Sequence, residues 1–140
     1  MPDWHALLDH IVARKGPLPP HVEVLRLPAI DGWEPGRVWC DWPVDPDLIQ
    51  PHGALFGGYI SAVADEMVGL ATLTVLDNDA TFATADTRTN YFRPISDGVI
   101  AIEAKVIHKG RTNIFVEATF TDKAGKLCAK ASATESVLRQ

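Results

Sequence analysis

From Phe56 to Leu76 the chain runs without a charge except for Asp65 and Glu66, side by side near the middle. The run is nearly long enough to cross a bilayer, but two adjacent carboxylates at the bilayer centre cost too much. It therefore reads as a long helix buried inside a folded protein. Small residues along it (Gly57, Gly58, Ser61, Ala62, Ala64, Gly69, Ala71) allow a sheet or a second helix to approach closely. A carboxylate in so apolar a helix is costly unless paired or hydrogen-bonded, which marks Asp65 as a candidate for chemistry. The helix opens on Gly57 and Gly58. A helix N-terminus presents unsatisfied N–H groups and the positive end of a dipole, and glycine lets a substrate come near that backbone.

Downstream the hydrophobic period changes to two, the spacing of a strand. Residues 82–92, 99–108, 112–121 and 126–137 read as four strands, with turns at Ser96-Asp97-Gly98, Lys109-Gly110 and Asp122 to Gly125. Thr112, Ile114, Val116, Ala118 and Phe120 share one face, as do Leu127, Ala129, Ala131 and Ala133. Short links between these runs predict hairpins and an antiparallel meander. Upstream, residues 4–14 have helical spacing and end at the Gly16 to Pro20 breaker. Val22–Ile30 and Arg37–Trp42 read as strands around a turn spanning Asp31-Gly32 to Pro35-Gly36. The expected architecture is α+β: an antiparallel sheet wrapped around one long central helix. The whole of 1–140 is expected to be a single domain, with 1–20 as N-terminal helix and linker and 21–137 as core.

Charge and cysteines narrow the partners. A net charge of -5 argues against a nucleic-acid surface. Cys40 and Cys128 are far apart and form no CxxC, so two buried thiols in a reducing cytoplasm are expected. Met1 to His5 lack the basic and apolar regions of a signal peptide. No His has metal-ligand spacing with other ligands, and neither metal nor cofactor is expected.

Gly57 and Asp65 are eight residues apart, about 12 Å along a helix rising about 1.5 Å per residue. A reacting carbonyl needs its oxyanion donor and its attacking group each within about 3 Å. One helix cannot supply both. Two antiparallel copies can, which predicts a twofold dimer with two equivalent sites.

The pattern Gln50-x-x-Gly53-x-x-Phe56-Gly57-Gly58, followed by Ala62-Val63-Ala64-Asp65, resembles the helix signature of hotdog-fold acyl-CoA thioesterases, the PaaI-type and hydroxybenzoyl-CoA branch. The likeness continues through Thr84-Ala85-Asp86, Asn90 to Pro94, Lys109-Gly110-Arg111 and Asp122 to Ala129, over roughly residues 45–137. It implies a hotdog fold and hydrolysis of an aryl- or medium-chain acyl-CoA at a site between subunits of a homodimer; a dimer of dimers is expected, with the choice between dimer and tetramer left open. It further implies Asp65 as nucleophile or general base and Gly57 as oxyanion donor. Gln50 would be an amide near the thioester or the water, and Thr84 a hydroxyl orienting that water. Gly58, Phe56, His52, Arg93, Lys109 and Arg111 are the candidates for substrate binding, the basic ones toward the phosphates of coenzyme A. Ordinary solvation of strand ends is the simpler reading of these three cations. Phe56 stands where many members of this branch have His, and His52 lies four residues early. Two alternatives stay open: a hotdog dehydratase or hydratase pairing His52 with Glu66, and an acyl-CoA binding module without turnover.

Overall fold

A computed structural model describes residues 2–139. Helix α1 (Trp4–Val12) begins at Asp3, whose carboxylate accepts from the Ala6 N–H, and buries Leu8 completely. Trp4 Nε1 donates to Ala80 O at 3.0 Å, and His5 Nε2 lies 3.0 Å from Thr74 O, fastening α1 beside the far end of the central helix.

The strand expected over Val22–Ile30 is instead a short helix, α2 (Pro20–Leu25). Pro20 at the first helical position pre-sets φ and gives up no hydrogen bond there. Arg26, left-handed at φ 51°, closes the helix. Val22 and Val24 would share one face of a strand, but here they part: Val22 packs partly against the core and Val24 is 79% exposed. Strand β1 (Gly32–Glu34) occupies residues expected to form a turn; the reversal is confined to Pro35-Gly36, with Gly36 at φ +87°, and leads into β2 (Arg37–Pro43). Gly32 is needed there because a Cβ would stand 2.3 Å from the Trp39 ring.

The central helix α3 (Gly57–Leu73) ends three residues before the apolar run does. The Thr74 hydroxyl donates to Ala71 O at 2.7 Å and accepts the Gly36 N–H at 2.8 Å. Strands β3 (Ala80–Tyr91), β4 (Val99–Lys109), β5 (Asn113–Thr121) and β6 (Leu127–Arg139) complete a six-stranded antiparallel sheet in the order β1-β2-β4-β5-β6-β3. The four-strand meander is therefore corrected: β4, β5 and β6 form one, but β3 pairs with β6 rather than β4. Both sides of β4 are occupied, by β2 and β5. The link of residues 92–98 can span about 23 Å at about 3.3 Å per residue, against about 14 Å for three strand spacings.

The sheet curves over α3. Val63, Ala64, Met67, Val68 and Ala71 are buried in one core with Ile102, Ala104, Ile114, Val116, Ala118 and Ala131. The alternating faces of β5 and β6 hold, except that Thr112 falls outside β5 and Leu127 is exposed. The helix is not wholly covered: Gly58 and Asp65 are exposed, and Ser61, Ala62, Glu66 and Gly69 are half-buried. Among the described residues, no helix is long and apolar enough to cross a membrane.

Candidate active site

Two groups of side chains converge on α3, at different heights. At its start, Ile49 and Leu55 bridge the ends of a tight loop in which the Gly53 N–H donates to Gln50 O and Gly53 itself sits at φ +93°. The loop delivers Phe56 as the residue before the helix, without a side-chain cap. The N–H groups of Gly57 and Gly58 consequently have no acceptor among the described residues. Tyr91, from the end of β3, donates through its hydroxyl to Gly57 O at 2.8 Å and shares a hydrogen bond with Ser61. A cleft of about 330 Å³ opens here, lined by Gln50, His52, Gly57, Ile60, Tyr91 and Arg93 among others. Gln50 Nε2 reaches Ala54 O and Leu55 O only at 3.4 Å, so its amide is loosely engaged. Phe56, 55% exposed, lays its ring over Gly58, where a Cβ would stand 2.6 Å from it.

Two turns further along α3 lies the second group. Asp65 is exposed, with the Thr84 hydroxyl 3.5 Å from its Oδ1. That hydroxyl lies 2.9 Å from Glu135 Oε2 on β6, the strand paired with β3. Glu135 is fully buried, and its Oε1 has no partner among the described residues. Burial pushes its pKa above the ordinary carboxylic range; the Thr84 hydrogen bond opposes this, while Asp65 and Asp86 reinforce it.

The structure thus brings Gln50, His52, Gly57 and Arg93 to one cleft and sets Asp65 beside Thr84, without uniting the two groups in one chain. Among the other candidates, Lys109 donates to Val75 O at 2.6 Å, beyond the C-terminal end of α3. Arg111 follows it in the β4–β5 turn. Glu66, the carboxylate of the hydratase alternative, is held 3.2 Å from His21 of α2 and does not line the cleft containing His52. Cys40 and Cys128 are free and buried, as expected, and burial raises the Cys40 thiol to about 12, far from nucleophilic use.

Glu135 is the residue that motif reading missed. The inward positions Ala129, Ala131 and Ala133 put 135 next on the same face, so a charged side chain at a core position of that alternation was the available signal.

Comparison with known proteins gives a consistent picture. A family profile described as the thioesterase superfamily matches residues 52–129. A Saccharolobus solfataricus protein named as a supposed esterase is 40% identical over 107 residues, covering 76% of this chain and 75% of that one. The proofreading thioesterase EntH of Klebsiella pneumoniae is 27% identical over 105 residues, 75% of this chain and 77% of EntH. Among solved structures, a thioesterase family protein from Silicibacter pomeroyi superposes with a TM-score of 0.81 at 28% identity, covering 99% of this chain and 100% of that chain.

Proposed function

The chain belongs to the thioesterase superfamily and is a thioester hydrolase of hotdog fold, and from that premise we propose that it cleaves aryl- or medium-chain acyl-CoA thioesters at a centre completed by two copies of the chain. One observation carries this reading. Gly57, whose N–H has no acceptor among the described residues, lines a cleft at the start of α3, whereas Asp65 lies on an uncovered stripe about 12 Å further on.

A second copy supplies the missing half. Strand β3 is twelve residues long, stands at the sheet edge and is exposed over most of its length, an arrangement that invites pairing with another strand. Twofold pairing of β3 with its counterpart lays the two α3 helices antiparallel, with Gly57 of each opposite Asp65 of the other. The acyl chain lies between the helices. The Gly57 N–H donates to the thioester oxygen as negative charge develops on it. The Asp65 carboxylate either takes a proton from the water that attacks the carbonyl carbon, or itself attacks that carbon to give a mixed anhydride that water then hydrolyses, releasing the acid and restoring the carboxylate. The C–S bond breaks and coenzyme A leaves as the thiol. Gln50 and Thr84 orient the water, while Gly58, Phe56, His52 and Arg93 flank the substrate. In this reading Lys109 and Arg111 serve the phosphates only if a neighbouring copy carries them to the cleft, as a dimer of dimers could.

Complementation tests the shared centre. Gly57→Pro removes the N–H at the first helical position, where proline is tolerated and an added Cβ would stand at an ordinary 3.5 Å from the Tyr91 ring, and Asp65→Asn removes the carboxylate. Each variant alone should release almost no thiol from acyl-CoA. Equal amounts refolded together give half hybrids with one good site of two, hence about one quarter of wild-type turnover. Absence of recovery in a verified mixed dimer would rule out a shared centre.

A further inference from the structure

Thr84 has one hydroxyl hydrogen and two carboxyl groups that need it: Glu135 Oε2 at 2.9 Å and Asp65 Oδ1 at 3.5 Å. Were both carboxyls ionised, one would face the hydroxyl without a hydrogen. The exposed Asp65 would also repel the buried Glu135, whose own charge has no water around it. No cation relieves them: Glu135 forms no ion pair among the described residues. The charged groups facing it are Asp65 from α3 and Asp86 from β3, both negative, and its partner in register on β5 is the apolar Ile114. The site is also built with some care. The register shifts between Thr84 and Asp86, placing an extra residue, Ala85, in β3, and such bulges re-aim neighbouring side chains.

We propose that Glu135 is a positioning residue held as the neutral acid: it donates to the Thr84 oxygen, which frees the Thr84 hydrogen to be donated to Asp65. The hydrogen bonds thereby run one way, from Glu135 to Thr84 and from Thr84 to Asp65, which accepts. Asp65 then presents a defined lone pair toward the substrate, with its second oxygen engaged. The 3.5 Å separation fits a site without substrate, since catalytic hydrogen bonds commonly tighten only when substrate is bound. This role rests on Asp65 being the catalytic carboxylate.

The expected titration has a definite sign. A carboxyl with a raised pKa in the folded state binds a proton that the unfolded chain has released. Glu135 therefore contributes stability that is complete below the ordinary carboxylic pKa and is lost as pH rises through its own raised value. Turnover should fall over the same rise, because an ionised Glu135 takes the Thr84 hydrogen away from Asp65.

The test compares Glu135→Gln, which keeps a donor to Thr84, with Glu135→Leu, which removes it. Glu135→Gln should retain kcat and lose the decline attributable to Glu135 at rising pH. Glu135→Leu should lower kcat by about tenfold, the value of one neutral hydrogen bond, with KM nearly unchanged. A Glu135→Gln enzyme as impaired as Glu135→Leu, or one that keeps the wild-type decline, overturns the proposal. Titration of carboxyl-labelled glutamate by NMR in the intact protein reads protonation without reference to activity. A Glu135 carboxyl with a raised pKa, lowered again in Asp65→Asn, supports the proposal; one ionised throughout the neutral range overturns it even in a fully active enzyme. Failure of the wild type to cleave any acyl-CoA would instead count against the substrate reading, with the titration still deciding the proton's place.

Discussion

Strands β5 and β3 both pair with β6, yet they have opposite characters. In β5 every second side chain is buried against α3, from Ile114 to Phe120. In β3 burial is confined to the first residues, and the stretch from Ala83 to Arg88 is wholly exposed. The same division runs through α3. One face, with Met67, Val68 and Ala71, is sealed by the sheet, while the stripe of Gly58, Ala62, Asp65 and Gly69 is at least partly open. The finished half accounts for stability. The unfinished half carries Thr84 and Asp65, and its incompleteness is what a second copy would resolve.

The sharpest test of that division is Asp65→Asn, which should cost about 100- to 10,000-fold in kcat, measured by thiol release. Because Asp65 is exposed and its side chain makes only the 3.5 Å contact among the described residues, the thermal midpoint should hardly move. The opposite outcome is expected from Phe120→Ala on the sealed side: a loss of about 3–5 kcal/mol in denaturant unfolding, with kcat little altered in the molecules that remain folded. If Asp65→Asn instead unfolded the protein, the two regions would not be distinct.

Smaller effects concern assembly and substrate. Ala62→Arg places a long cation on the open stripe; sedimentation should show dissociation to monomers, and activity should fall with it. A stable, active dimer would mean the stripe faces no second copy. Last come the basic residues. Arg93→Ala should raise KM for acyl-CoA by up to about tenfold with kcat held, an effect that salt weakens. Lys109→Ala, which loses the bond to Val75 O, should cost about 1 kcal/mol of stability, and a matching rise in KM would carry Lys109 into the substrate site.

Much of this division is legible in the chain. The Gly57-Gly58 opening, the lone carboxylate pair and the period-two runs lead to α3, Asp65 and three of the strands in their observed pairing. Even the unfinished edge leaves a trace, for Thr81 to Tyr91 has no continuous apolar face. The reading fails where local pattern is weak. Val22 and Val24 alternate as in a strand, but with too few neighbours to define a face, and Pro20 decides for helix.

Sequence by itself determined which residues are apolar, at what period, and where the chain turns, because these are properties of neighbours a few positions apart. Only the tertiary structure decided that β3 leaves β4 for β6, and that Thr84 meets Glu135 across 51 residues and Asp65 across 19. The physical reason is that a strand's pattern specifies which face is buried but not which edge it joins. Edge choice follows from which ladders are already filled and how far the connecting loop reaches. The proton proposed for Glu135 has the same kind of origin, since it is argued from packing, charge and a shared hydroxyl contributed by three separate elements.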